Sequence, residues 1–222
     1  MSGSARFRLV SALVLLAPVV QGASDAGVLA PVPVEALDVT LGALEARPGG
    51  FLVESSKMRA VAPGRVSDVA ELGFTYLGPT RDEAPLGSGE LRRQVGLKLR
   101  AQDSCNVLYV MWRIAPVPAL VVSVKENRGL SRHAECGNRG YRNVKPRWRA
   151  RVPVLVPGDS HRIRVEADGL ELRISVDGRR VWEGRVFDQD PSFDGPVGVR
   201  TDNGRFLLQL SAGGSTRKPP AR

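Results

Sequence analysis

Ser160-His161-Arg162-Ile163-Arg164-Val165-Glu166-Ala167-Asp168-Gly169-Leu170-Glu171-Leu172-Arg173-Ile174-Ser175-Val176-Asp177-Gly178 decides the fold. Ile163 and Val165 alternate with Arg162, Arg164 and Glu166. Leu170, Leu172, Ile174 and Val176 alternate with Glu171, Arg173 and Ser175. A period of two sends one set of side chains into a core and the other to the outside, as a β-strand does. The breaks between runs are Asp168-Gly169 and Asp177-Gly178, and Asn203-Gly204 separates Val197–Thr201 from Phe206–Leu210. These pairs tolerate the left-handed backbone that tight hairpins need. The C-terminal third therefore reads as an antiparallel meander.

Outward from that stretch the same pattern recurs. Val95, Leu97 and Leu99 alternate with Gly96, Lys98 and Arg100. Leu108, Val110, Trp112 and Ile114 alternate with Val107, Tyr109, Met111 and Arg113, and Val122 and Val124 alternate with Ser123 and Lys125. Ala36–Leu41, Phe51–Ser55 and Val69–Leu77 add further strands. No long stretch carries a helical apolar stripe. About ten to twelve strands in one domain imply two packed sheets.

The 160–178 stretch, followed by Gly195-Pro196-Val197-Gly198-Val199-Arg200-Thr201-Asp202-Asn203-Gly204, resembles the concanavalin A-like jelly-roll superfamily. That group includes laminin-G-like modules and domains related to keto-disaccharide hydrolases. The resemblance covers roughly residues 150 to 212 and implies an all-β, two-sheet antiparallel jelly-roll sandwich. Its motifs are turn and core signals. Such folds host lectins, hydrolases, lyases and adhesive modules, so the resemblance implies a fold and no activity.

The ends read differently. Arg6 and Arg8, the apolar run Leu9–Val20 and the small residues Gly22, Ala23 and Ser24 form a secretory signal over 1–23. The run is shorter than the roughly twenty residues of a membrane span. An extended lead-in (24–34), a β-sandwich domain (35–212) and a flexible tail (213–222) follow. Export would place the protein in a secreted, periplasmic or cell-envelope setting. There the two cysteines, Cys105 and Cys136, are expected to pair.

The formal net charge is +9. Most of it lies between Arg128 and Arg151, where eight basic residues face one acid, Glu135. A basic lobe on a near-neutral body attracts anionic partners.

Catalytic signals are thin. Glu166 and Asp168 share a strand face, as a retaining glycosidase pair about 5–5.5 Å apart would, but turn chemistry already explains Asp168. His133 and Glu135 lack a nucleophile at a recognisable spacing. Asp188, Asp190 and Asp194 are oxygen ligands without the register of a calcium loop. No catalytic residue, metal site or cofactor is assigned.

Binding signals are stronger. Lys98, Arg100, Tyr109, Arg113 and Lys125 fall on the non-core positions of adjacent strands, with Met111 and Ser123 among them. A Cys105–Cys136 bond would fold the basic segment back so that Tyr141, Arg147, Trp148 and Arg149 border that face. Aromatic rings stack on sugars, and Arg and Lys grip carboxylate, sulfate or phosphate. The expected function is an extracytoplasmic glycan-binding module, with an acidic polysaccharide or other anionic ligand as partner. The alternatives are a carbohydrate-active hydrolase or lyase on the same fold, or a structural or adhesive envelope protein. Nucleic acid fits an exported, disulfide-bonded chain poorly.

Overall fold

The computed structural model describes residues 29–189 and 191–213. The expected signal segment, 1–23, and most of the expected tail lie outside the described residues. Sixteen strands are present among the described residues. They are β1 (Leu29–Pro31), β2 (Asp38–Leu41), β3 (Glu45–Arg47), β4 (Gly50–Val53), β5 (Lys57–Val61), β6 (Val69–Pro79), β7 (Arg93–Leu99) and β8 (Val107–Ala115). Then follow β9 (Ala119–Lys125), β10 (Tyr141–Asn143), β11 (Trp148–Arg149), β12 (Ser160–Asp168), β13 (Glu171–Val176), β14 (Arg179–Arg185), β15 (Gly198–Asp202) and β16 (Gly204–Gly213). One short helix, α1 (His133–Cys136), lies between β9 and β10. Among the described residues no helix is long and apolar enough to cross a membrane.

The strands form two antiparallel sheets. The back sheet runs β11-β14-β13-β12-β6-β16-β4-β3, with β1 also paired to β16. The front sheet runs β10-β9-β8-β7-β15-β5-β2. This is an all-β, two-sheet antiparallel jelly-roll sandwich. Alternation does the work expected of it. Along β6 every second residue is buried, and β16 keeps the same rhythm over most of its length. Inward side chains of both sheets meet in one core, with Trp112, Leu97 and Met58 from the front and Trp182, Phe206 and Leu72 from the back. Phe74 meets Trp112 edge-to-face with ring centres 5.5 Å apart, a favoured aromatic arrangement.

The meander β12-β13-β14 is present, and its hairpins fall at Gly169 (φ 58) and at Asp177-Gly178 (φ 50 and 77). The third turn differs from expectation. Asn203 has φ 54, but β15 belongs to the front sheet and β16 to the back sheet. The left-handed residue marks a corner between sheets. Positive φ in a sequence signals a sharp reversal and does not say whether the next strand pairs with the last.

The disulfide forms between Cys105, just before β8, and Cys136 at the end of α1, with Cα atoms 5.9 Å apart. It fastens the 126–140 segment to one end of the front sheet.

Candidate binding cleft

The registers of the front sheet place its outward side chains in rows. One row runs Arg59, Arg200, Gly96, Met111 and Val121 across β5, β15, β7, β8 and β9. The next runs Val61, Gly198, Lys98, Tyr109, Ser123 and Asn143. A third begins Lys57, Asp202 and Gln94. These rows form the floor of a cleft of about 700 Å³. Its walls are Leu86, Gly87 and Ser88 from the β6–β7 loop, and His133 and Asn138 from the segment held by the disulfide.

Asp202 organises the charges on this floor. It is fully buried. Its Oδ1 accepts from Arg59 Nη2 at 2.5 Å, and its Oδ2 accepts from Arg200 Nε at 2.9 Å and Gln94 Nε2 at 2.7 Å. Burial favours the neutral acid, yet Arg200 and Arg59 hold the carboxyl below its ordinary range. Burial also disfavours charge on Arg200, but Asp202, helped by Tyr109 and Tyr141, more than offsets this and raises its pKa. Arg59 is pushed down by burial and by Arg200. The Arg200 guanidinium lies 4.9 Å from the centre of the Tyr109 ring.

Lys98 differs from its neighbours. It is 7% exposed. Its ammonium makes no hydrogen bond or ion pair with any described residue. Burial, then Arg59 and Arg200, lower its pKa from 10.5 to about 8, and Asp38 opposes this only in part. A buried cation without a partner is costly to the fold and is well placed to receive an anion.

The aromatic side of the floor is Tyr109 and Tyr141, whose rings stack at 6.2 Å and 22°. Burial pushes the Tyr109 hydroxyl up to about 12. Tyr141 is half-exposed and lines the cleft.

Of the side chains expected to bind, the structure brings Lys98, Tyr109, Lys125 and Tyr141 to the cleft. Lys125 is already engaged, because its Nζ donates to Ser104 O at 2.9 Å and Gly137 O at 2.7 Å and sits 3.3 Å from Cys136 Sγ. Five others stand elsewhere. Arg100 has φ 49, which breaks the strand alternation, and its guanidinium turns to Phe187 and Gly169 O. Arg113 is held at the β8–β9 turn by Val117 O at 2.7 Å. Arg147, Trp148 and Arg149 lie along the far edge of the back sheet, where β11 pairs with β14 and Arg147 ion-pairs with Glu183 and Glu171. The disulfide brings the 126–140 segment to the cleft, but the chain crosses to the other sheet before Arg147.

The other candidates have structural employment. Glu135 accepts from the backbone N–H groups of Ser131 and Arg132 at the start of α1. Glu166 pairs with Arg164. Asp194 accepts from Gly195 N, and Asp190 lies outside the described residues. Sequence reasoning missed Arg59, Arg200, Gln94 and Asp202. The alternation of Val199 and Thr201 with Arg200 and Asp202 was a usable signal for the last pair of outward residues on β15. Arg59 sits on β5, a strand too short and mixed to stand out.

No protein-family model matches the chain, and no curated protein sequence matches it. Solved structures do. The carbohydrate-binding module CBM66 from Bacillus subtilis aligns with a TM-score of 0.56 and 16% identity, over 81% of this chain and 96% of that one. The carbohydrate recognition domain of Emp47p aligns with a TM-score of 0.50 and 12% identity, over 81% and 89%. At these identities the likeness is one of fold.

Proposed function

We propose that the protein is an extracytoplasmic glycan-binding module whose front-sheet cleft takes an acidic oligosaccharide. The observation that carries this reading is Lys98, a side chain 7% exposed whose ammonium has no hydrogen-bond or ion-pair partner among the described residues and which lines a cleft of small-ligand size. Lys57, Arg59, Arg92 and Arg200 line the same cleft, and Asp103 is the only carboxylate lining it among the described residues. Asp103 is turned to the backbone N–H groups of Cys105 and Asn106. The stacked tyrosines supply the flat surface a sugar ring prefers. Two proteins of similar fold are a carbohydrate-binding module and a carbohydrate recognition domain by description, which supports the glycan half of the reading. A lone carboxylate held by backbone donors gives no pair for glycoside cleavage, which favours binding over hydrolysis. The disulfide and the 1–23 segment support an exported setting.

The test is a glycan array probed with the oxidised protein at low and high salt, beside the Lys98→Met variant. Binding to uronic or sulfated glycans that weakens with salt and with the substitution is expected. Hits confined to neutral glycans, unaffected by Lys98→Met, would contradict the acidic reading.

A further inference from the structure

We propose that the cleft recognises the end of an acidic glycan chain and excludes the chain's interior. The proposal rests on the acidic-glycan reading above and concerns which part of such a glycan fits.

The argument begins with where the two walls originate. In the register of the front sheet, Arg93 at the start of β7 lies opposite Ala115, whereas Lys125 at the end of β9 lies opposite Val107. These are the opposite ends of the nine-residue β8, about 26 Å apart at ~3.3 Å per residue. The β6–β7 loop enters at the first end. The 126–140 segment leaves at the second. Both nevertheless line one cleft and touch each other above it.

Each wall is anchored at its base. Asn203 holds the β6–β7 loop by accepting from Ala84 N at 2.8 Å and donating to Ala84 O and Arg92 O at 3.0 and 3.1 Å. The loop's tip is closed by Leu86 N to Glu90 O and Gly89 N to Leu86 O, with Gly89 at φ 83. The opposite segment is fastened by the disulfide and by Lys125 to Gly137 O. The contact between them lies at Gly87. A Cβ there would lie 2.3 Å from Asn138 Nδ2 and 2.6 Å from its Oδ1, so the Asn138 amide packs directly against the backbone of the opposite loop.

The result is a bar laid along the strands over the middle of the floor. Tyr109 and Met111 on that floor are nearly as buried as the core. A polysaccharide lying across the strands would have to pass the bar. The bar spans a cleft of about 700 Å³ whose lining runs from Thr40 and Leu41 of β2 to Tyr141 and Asn143 of β10, within the range of sites that enclose most of a small ligand. A chain end can enter such a space. An internal segment, continued in both directions, cannot do so without parting Gly87 from Asn138.

The experiment compares intact polygalacturonate, hyaluronan and heparan sulfate with the same polymers cut to short oligosaccharides, at equal mass. It reads the amount of protein bound per gram at saturation. The proposal expects the bound amount to rise by the same factor as the number of chains. Equal capacity per gram for intact and cut polymer would overturn it and leave the acidic-glycan reading standing. Absence of binding to every polymer in either form would overturn both. Replacing Pro85–Leu91 with two glycines should raise capacity on the intact polymer several-fold. If that variant fails to fold by circular dichroism, the wild-type comparison still decides.

Discussion

At the scale of a residue, the role proposed for Lys98 sets binding against stability. Lowering its pKa from 10.5 to about 8 means that at neutral pH its charge costs the fold on the order of 3 kcal/mol. Between those two pH values the unfolded chain holds the extra proton, so stability rises with pH across that window. Lys98→Met should therefore unfold at higher urea concentration than wild type at neutral pH, with the difference shrinking above pH 8. The same variant should bind an acidic ligand about 2 kcal/mol more weakly, on the order of thirtyfold. A variant that is both less stable and equally tight would show that Lys98 is structural. Asp202 works in the opposite sense, since two buried arginines depend on it. Asp202→Ala leaves them facing each other and should cost about 3–5 kcal/mol, read as a lower urea midpoint.

At the scale of an element, the front sheet was legible where alternation ran long. β7, β8 and β9 could be read with their faces assigned, and with them Lys98 and Tyr109. β5 and β15 contributed Arg59 and Arg200 unannounced, because a five-residue strand offers two or three apolar positions and little pattern. Arg100 was misplaced because one left-handed residue reverses the side of every assignment beyond it, and nothing in Leu99-Arg100-Ala101 announces that. The pairing of Cys105 with Cys136 was readable from the even cysteine count and the expectation of export. Its position at the mouth of the cleft was not, since that depends on which strands are neighbours. Replacing both cysteines with Ser opens a loop of separation 31 and should cost about 3.5 kcal/mol, read by urea unfolding. It should also loosen the wall that carries Asn138, so ligand affinity should fall even where the fold persists. Unchanged affinity would show that this wall plays no part in binding.

At the scale of the whole molecule, the fold followed from periodicity and turns, while the site did not. Two sheets were implied by strand number, and the chain obeys that. Which sheet receives the basic segment is a question of topology, and there a short crossover sends Tyr141 to the front sheet and Trp148 to the back. Net charge along the sequence thus suggested the proposed anionic ligand through a segment whose basic residues do not line the cleft. The cations of the cleft come from strands far apart in the chain, gathered by a buried carboxylate. The account predicts a proton linkage that a merely basic surface would lack. An anion seated on Lys98 raises its pKa, so binding near pH 8 must draw a proton from solvent. The decisive measurement is calorimetric titration of an acidic oligosaccharide into wild type and Lys98→Met at pH 8, in buffers of different ionisation enthalpy. Uptake of ~0.5 proton by wild type and none by the variant is the predicted result. Heats independent of buffer, with equal affinity in both proteins, would contradict the claim that this cleft binds its ligand through Lys98.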